Sequence, residues 1–160
     1  MESSRTAVLV KPDGLQRGLI GEIINRFEKK GLKLVGLKML LMSDEKLSDW
    51  YVEHKDKSFF GELKSFMGSI PIVAMAWEGY DVVPVVRKLV GTTLGRAAEA
   101  GSIRGDFGMS QQYNLIHASS NATDAEREIA IVFSKAELFN YTNVMDAVIY
   151  ADYELDTLKK

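Results

Sequence analysis

RTAVLVKPDGLQRGLIGEIINRFEKKGLKLVGLKML, residues 5–40, begins and ends with apolar runs and carries a different period between them. RTAVLV (5–10) is short and continuously apolar, as a buried strand is. Ile20, Ile23, Ile24 and Phe27 recur at helical spacing, and Gly31 stands where that helix would stop. LKLVGLKML (32–40) returns to strand chemistry, with an irregular step at Gly36. The opening therefore reads strand, helix, strand.

The rest of the chain extends this pattern. Ser43 opens a helical stretch with Leu47, Trp50, Tyr51 and His54 on one face, and 58–67 reads as a further short helix. IPIVAMAW (70–77) is apolar throughout and so is a central strand. Asp81 is expected to cap a helix striped by Val82, Val85, Val86 and Leu89, with Pro84 tolerated in its first turn. A glycine-punctuated loop follows from 91 to about 110, long enough to suggest function. YNLIH (113–117) reads as the fourth strand, and Ala125, Ile129, Val132 and Phe133 pattern the last helix. Thr123 and Glu126 have the spacing of a capping box at its start. The order predicts an α+β fold, a ferredoxin-like sandwich with a four-stranded antiparallel sheet covered by helices. One domain is expected over 1–160, with 134–160 as a C-terminal extension packed on the domain or on a neighbouring subunit.

Composition narrows the chemistry. With 160 residues, 46% apolar and 26% charged, the chain is of ordinary size and makeup for one globular domain. It has no cysteine, which removes disulfides, thiolate metal sites and cysteine nucleophiles. A formal charge of −2 offers no global basic field, so neither nucleic acid nor membrane is an expected partner, and an anionic ligand needs a local basic cluster. The N-terminal residues lack a signal-peptide pattern, and a cytoplasmic location is expected.

VKPDGLQRGLIGE (10–22) places three glycines and Lys11 at a strand-to-helix junction, but without the order of a Walker A loop. Lys11 ends a buried strand, where a charge must reach solvent or an anion. Arg87, near the end of a helix, and Arg104, between Gly101 and Gly105 of the loop, could join Lys11 and the Thr93 hydroxyl to grip a polyphosphate. Tyr51 and Phe59 read by spacing alone as core aromatics, and His54 as structural or partly exposed. His117 differs: it ends a strand among polar residues, and Glu128 follows in the next helix. A carboxylate on one ring nitrogen would fix the tautomer presented by the other, which suits a general base or a covalent nucleophile. Strict alternation sets Asn114 and His117 on opposite faces, so both line one site only if the strand ends or twists before 117.

These segments resemble the nucleoside diphosphate kinase family. The resemblance is carried in family order by residues 10–39, by WYVEHKDKSFF, VVRKLVGTT, GSIRGDF and NLIHAS, and by AEREIAIVF, and it runs from about Arg5 to Tyr150. It implies the ferredoxin-like fold and reversible, ping-pong transfer of a γ-phosphate from a nucleoside triphosphate, typically ATP, to a nucleoside diphosphate through a phosphohistidine. His117 matches the nucleophile and Glu128 the carboxylate that orients it. Lys11, Arg87, Thr93 and Arg104 match the phosphate-binding set, with Lys11 also near the ribose. Asn114 matches a ribose contact, Phe59 the ring that stacks on the base, and Tyr51 and Ser119 residues that position phosphate and histidine. Mg²⁺ is implied as cofactor, held by nucleotide phosphates and water rather than directly by protein. The partners implied are nucleoside di- and triphosphates and further copies of the chain, in a hexamer or tetramer.

The chain also departs from the family pattern. Ala118 and Ser120 stand where glycine and aspartate are common, Gln111 replaces an apolar residue at the base, and Ser58 a proline. Gly95 and Ala100 fall in a loop that usually carries prolines, and a looser loop is expected there.

Overall fold

The computed structural model describes residues 3–156. In chain order the elements are β1 (Ser3–Val10), α1 (Pro12–Gln16), α2 (Ile20–Lys29), β2 (Lys33–Leu40), α3 (Asp44–Trp50) and α4 (Phe60–Met67). There follow β3 (Ile72–Tyr80), α5 (Val82–Val90), α6 (Ile103–Phe107), β4 (Ile116–Ala118), α7 (Ala122–Val132), α8 (Asp146–Ile149) and α9 (Asp152–Asp156). The strands lie in the order β2-β3-β1-β4. Every neighbouring pair is antiparallel. This is the ferredoxin-like α+β arrangement.

Alternation along the strands builds a core on each face of the sheet. Val8, Val10, Met75 and Trp77 pack with Ile23 and Phe27 of α2 and with Val82, Val86 and Val90 of α5. Ala7, Leu9, Ala74 and Ala76 pack with Leu47 and Trp50 of α3, Leu63 and Met67 of α4, and Ile129 and Val132 of α7. Residues 7–10 of β1 are wholly buried, since β1 is an inner strand covered on both sides.

The irregular step in β2 is a bulge at Val35, where pairing jumps from Leu34↔Trp77 to Gly36↔Ala76. The segment after α7 runs beside that bulge. The Phe139 amide donates to the Val35 carbonyl at 2.8 Å, and the Tyr141 hydroxyl to that of Leu34 at 2.7 Å.

Local expectations are corrected at four places. The fourth strand holds only 116–118, because Leu115 has φ 73° and breaks the extended chain before it. Asp81 precedes α5 with φ 48°, and its side chain makes no capping hydrogen bond. At α7 the cap is Asn121, whose side chain accepts from the Asp124 amide, so the Thr123–Glu126 capping box does not form. The 91–110 loop contains a 3-10 turn at Gly95–Ala97 and the short α6, capped by Ser102.

Candidate active site

The alternation that builds the core also sets the site. In β4, His117 pairs with Leu9 and therefore faces α3 and α7, and Ser119 continues on the same side, its amide donating to the Ala7 carbonyl. On α7 the buried positions are Ala125, Glu128, Ile129 and Val132, a helical stripe in which one core position is a carboxylate. Strand and helix periods thus aim an imidazole and a carboxylate at each other across the sheet–helix interface.

The contact is close. His117 Nε2 lies 3.0 Å from both Glu128 oxygens, and the Ser119 hydroxyl donates to Glu128 Oε2 at 2.7 Å. With the carboxylate ionised, Nε2 carries the hydrogen and Nδ1 keeps its lone pair. Among the described residues no protein group bonds Nδ1. The edge of Trp50 packs on the imidazole, centroids 5.1 Å apart at 70°.

Beside this pair lies a cavity of about 620 Å³. Lys11, Arg87, Thr93, Arg104 and Asn114 line it with His117 and Glu128, and Tyr51 and Phe59 line it as well. Ser119 does not; it sits buried behind Glu128. The Asn114 difficulty is resolved by Leu115. Its left-handed turn is held by its amide donating to Asp13 Oδ2 and its carbonyl accepting from the Lys11 amide, both at 2.9 Å. That turn lets Asn114 and His117 share one cavity.

Among the described residues no carboxylate forms an ion pair with Lys11 or Arg104, although the Asp13 charge acts on both. Lys11 Nζ donates to Asn114 Oδ1 (2.7 Å) and to the Gln112 carbonyl (3.1 Å). Arg104 donates to the carbonyls of Ile116 (2.6 Å), Gly91 (3.0 Å) and Asn114 (3.3 Å). Burial, then the nearby Arg104 charge, lowers the Lys11 ammonium to about 8. Burial, then Arg87, lowers the Arg104 guanidinium to about 10. Arg87 and Thr93 are exposed on the cavity wall. The arrangement can bind an anion of several charges next to a nucleophilic nitrogen.

Of the two aromatics read by spacing as core residues, Tyr51 is one and Phe59 is not. Tyr51 is buried, but among the described residues its hydroxyl has no hydrogen-bond partner, and burial followed by the Glu128 charge pushes the phenol well above its ordinary range. Phe59 is 43% exposed, a ring left open on the cavity wall. His54 sits between them, its ring 6.1 Å from Tyr51 and 5.6 Å from Phe59.

Sequence reasoning missed Trp50, Asp124 and Arg127 as cavity residues. Trp50 had a signal, since it precedes Tyr51 on the same stripe. Asp124 and Arg127 lie off the apolar stripe of α7 and read only as surface charge. The departures prove compatible with the backbone: Ala118 lies in regular strand, where a Cβ is no strain, and Ser120 donates a hydrogen bond to Asp124.

The profile of the family described as nucleoside diphosphate kinase matches residues 4–138. A nucleoside diphosphate kinase of Saccharolobus solfataricus is 51% identical over 138 residues, covering 86% of this chain and 100% of that one. One from Bacillus cereus is 49% identical over 146 residues, covering 91% and 99%. Among solved structures, a halophilic nucleoside diphosphate kinase from Halobacterium salinarum in complex with CDP superimposes with a TM-score of 0.91 at 46% identity, covering 93% of this chain and 99% of that one.

Proposed function

The chain belongs to the nucleoside diphosphate kinase family, a family of phosphotransferases, and from that premise we propose that it moves a γ-phosphate between nucleotides by a ping-pong mechanism through His117. One observation carries this reading: Glu128 occupies Nε2 and leaves Nδ1 unbonded in a cavity walled by Lys11, Arg87 and Arg104.

In the first half-reaction the Nδ1 lone pair attacks the γ-phosphorus of the triphosphate. The Nδ1–P bond forms as the bond to the β,γ-bridging oxygen breaks, and the diphosphate leaves with that electron pair. The Nε2 hydrogen stays in place, and Glu128 stabilises the positive charge the ring acquires. An acceptor diphosphate then reverses the steps. Lys11, Arg104, Arg87 and the Thr93 hydroxyl stabilise charge on the transferred group. Tyr51 and Ser119 position phosphate and imidazole, Asn114 holds the ribose with Lys11, and Phe59 stacks on the base. The bound CDP of the Halobacterium relative supports a nucleotide as occupant.

Mg²⁺ would enter with the nucleotide and would supply neutralisation of phosphate charge. The cavity chemistry fits an ion carried by the nucleotide, since its cations suit phosphate oxygens and Glu128 is engaged by His117 and Ser119.

The same reading includes one domain, a cytoplasmic enzyme, and self-association as a hexamer or tetramer. Leu37 and Met39, 50% and 59% exposed on the outer strand β2, support an apolar contact between copies. Among the described residues no helix is long and apolar enough to cross a membrane.

The test is to supply a triphosphate and Mg²⁺ without acceptor and weigh the intact protein. Wild type should gain one acid-labile phosphoryl, and His117→Ala none. An equal adduct on the variant defeats the mechanism. Nucleotide-induced thermal stabilisation of wild type with no adduct would identify a binder without turnover.

A further inference from the structure

Glu128 does not serve His117 alone. Its Oε1 lies 3.7 Å from Nη2 of Arg127, the preceding residue. Arg127 is not simply a solvated charge of α7. Its Nη1 donates to the Asp49 carbonyl at 2.8 Å and reaches the Trp50 carbonyl at 3.4 Å, at the end of α3. Trp50 is the residue whose ring packs on the imidazole. One guanidinium thus holds both supports of His117, the carboxylate behind it and the aromatic beside it.

We propose that Arg127 is a positioning residue for phosphoryl transfer, which shares the charge of Glu128 and braces Trp50 so that His117 stays a neutral Nε2–H imidazole with its Nδ1 lone pair free. A carboxylate 3.0 Å from an imidazole orients it but also favours the doubly protonated ring, which has no lone pair to attack with. A cation on the same carboxylate opposes the second effect and keeps the first. Glu128 is 4% exposed at its side chain, so the sharing acts where water screens little.

The other charges facing the ring do not replace this one. On α7, Asp124 takes hydrogen bonds from Ser120 and Asn121 and lies 3.5 Å from Arg127. Lys11, Arg87 and Arg104 lie on the phosphate side of the cavity; Glu53, Tyr51 and His54 line it from the segment after α3. Among the described residues, Arg127 is the one lysine or arginine within ion-pair distance of Glu128.

The inference rests on the phosphohistidine reading for its catalytic consequence, but the state of the ring is measurable without nucleotide. The chain has two histidines, so ¹⁵N spectra of the imidazoles can be assigned by the signal lost in His117→Asn. At pH 7, wild type should show the neutral Nε2–H pattern at His117. Arg127→Met should shift that signal toward the doubly protonated ring and slow phosphoenzyme formation about twofold at pH 7, because a one-unit change in a protonation equilibrium about halves the neutral fraction of a ring that starts mostly neutral. Arg127→Lys, which keeps the charge, should restore the neutral pattern. An unaltered ring signal in folded Arg127→Met, or a slow Arg127→Lys with the same altered signal, overturns the proposal. If wild type forms no phosphoenzyme, the phosphohistidine reading fails, and the spectra still decide the role of Arg127.

Discussion

The two charged clusters flanking His117 are finished to different degrees. On the carboxylate side, Glu128 has His117, Ser119 and Arg127 around it, so its charge is answered within the protein. On the cationic side, Lys11 and Arg104 are 7% and 5% exposed but hold only carbonyls and an amide, and the next cause lowering each, after burial, is another cation. Asp13 offsets only part of that repulsion. A satisfied carboxylate orients a ring; unsatisfied cations raise the energy of the empty site and lower it when an anion arrives. In the proposed mechanism, chemistry and binding therefore fall on opposite sides of one imidazole.

The largest effect should come from breaking the carboxylate side. Glu128→Gln keeps the shape but loses the charge that supports a positive ring, and the single-turnover rate of phosphoenzyme formation should fall about 10²–10⁴-fold. Nucleotide affinity by calorimetry should stay near wild type. If affinity falls as far as the rate, the division of labour is wrong.

The cationic side should respond the other way. Lys11→Met should weaken nucleotide binding about ten- to hundredfold, the scale of a lost hydrogen bond to a charged group. Proton linkage sharpens the contrast, because the folded, nucleotide-free protein releases the Lys11 proton near pH 8, against 10.5 ordinarily. The unfolded chain binds more protons in that window, so this group's destabilisation is fully present below 8 and is relieved as pH rises to 10.5. A bound phosphate favours the ammonium and reverses the sign: affinity should fall above about pH 8, by at most about tenfold per pH unit. Calorimetric titrations at pH 7, 8 and 9 would read this, and Lys11→Arg should flatten the profile. Equal pH dependence in wild type and Lys11→Met would break the assignment.

Legibility in the sequence followed the range of the forces involved. Residues 5–40 fold as their apolar periods predict, apart from the short α1 at 12–16, which those periods do not mark; the pattern that forms α2 also buries Ile23 and Phe27. The same holds for β3 and for the stripe of α7. The turn at Leu115 was not legible, because it depends on Lys11 and Asp13, about a hundred residues earlier, and a β-propensity reading extends the strand through it. Asn121 took the cap from Thr123 because the first turn began earlier than the apolar stripe marked. At the site, His117 stood out as a histidine ending a strand among polar residues, with Glu128 as a carboxylate in the helix that follows. Arg127 did not, since its importance comes from the end of α3 and not from its own helix. The short α6 left a faint trace in Ser102, Ile103 and Phe107, a cap and an apolar pair one turn apart.

The smallest expected effect concerns what holds α6, and with it Arg104, on the cationic side. The 91–110 loop lacks the prolines that would stiffen it, yet it is tied from outside. Arg26 of α2 pairs with Asp106 at 2.6 Å, donates to the Gly101 carbonyl at 3.1 Å, and lies 4.9 Å from the centre of the Phe107 ring. Asp106 in turn accepts from the Gly101 amide at 2.7 Å. Arg26→Met should therefore lower Tm by about 2–4 °C and weaken nucleotide binding about two- to fivefold through a looser loop. The effect stays small because Arg17 still donates to the Phe107 carbonyl at 2.6 Å and Arg104 keeps its own three carbonyls. High salt should reduce the difference in Tm between wild type and variant, as the lost contacts are partly exposed ion pairs. A loss of binding as large as that of Lys11→Met would mean that Arg104 is positioned chiefly by the α2 clamp and not by the carbonyls around it.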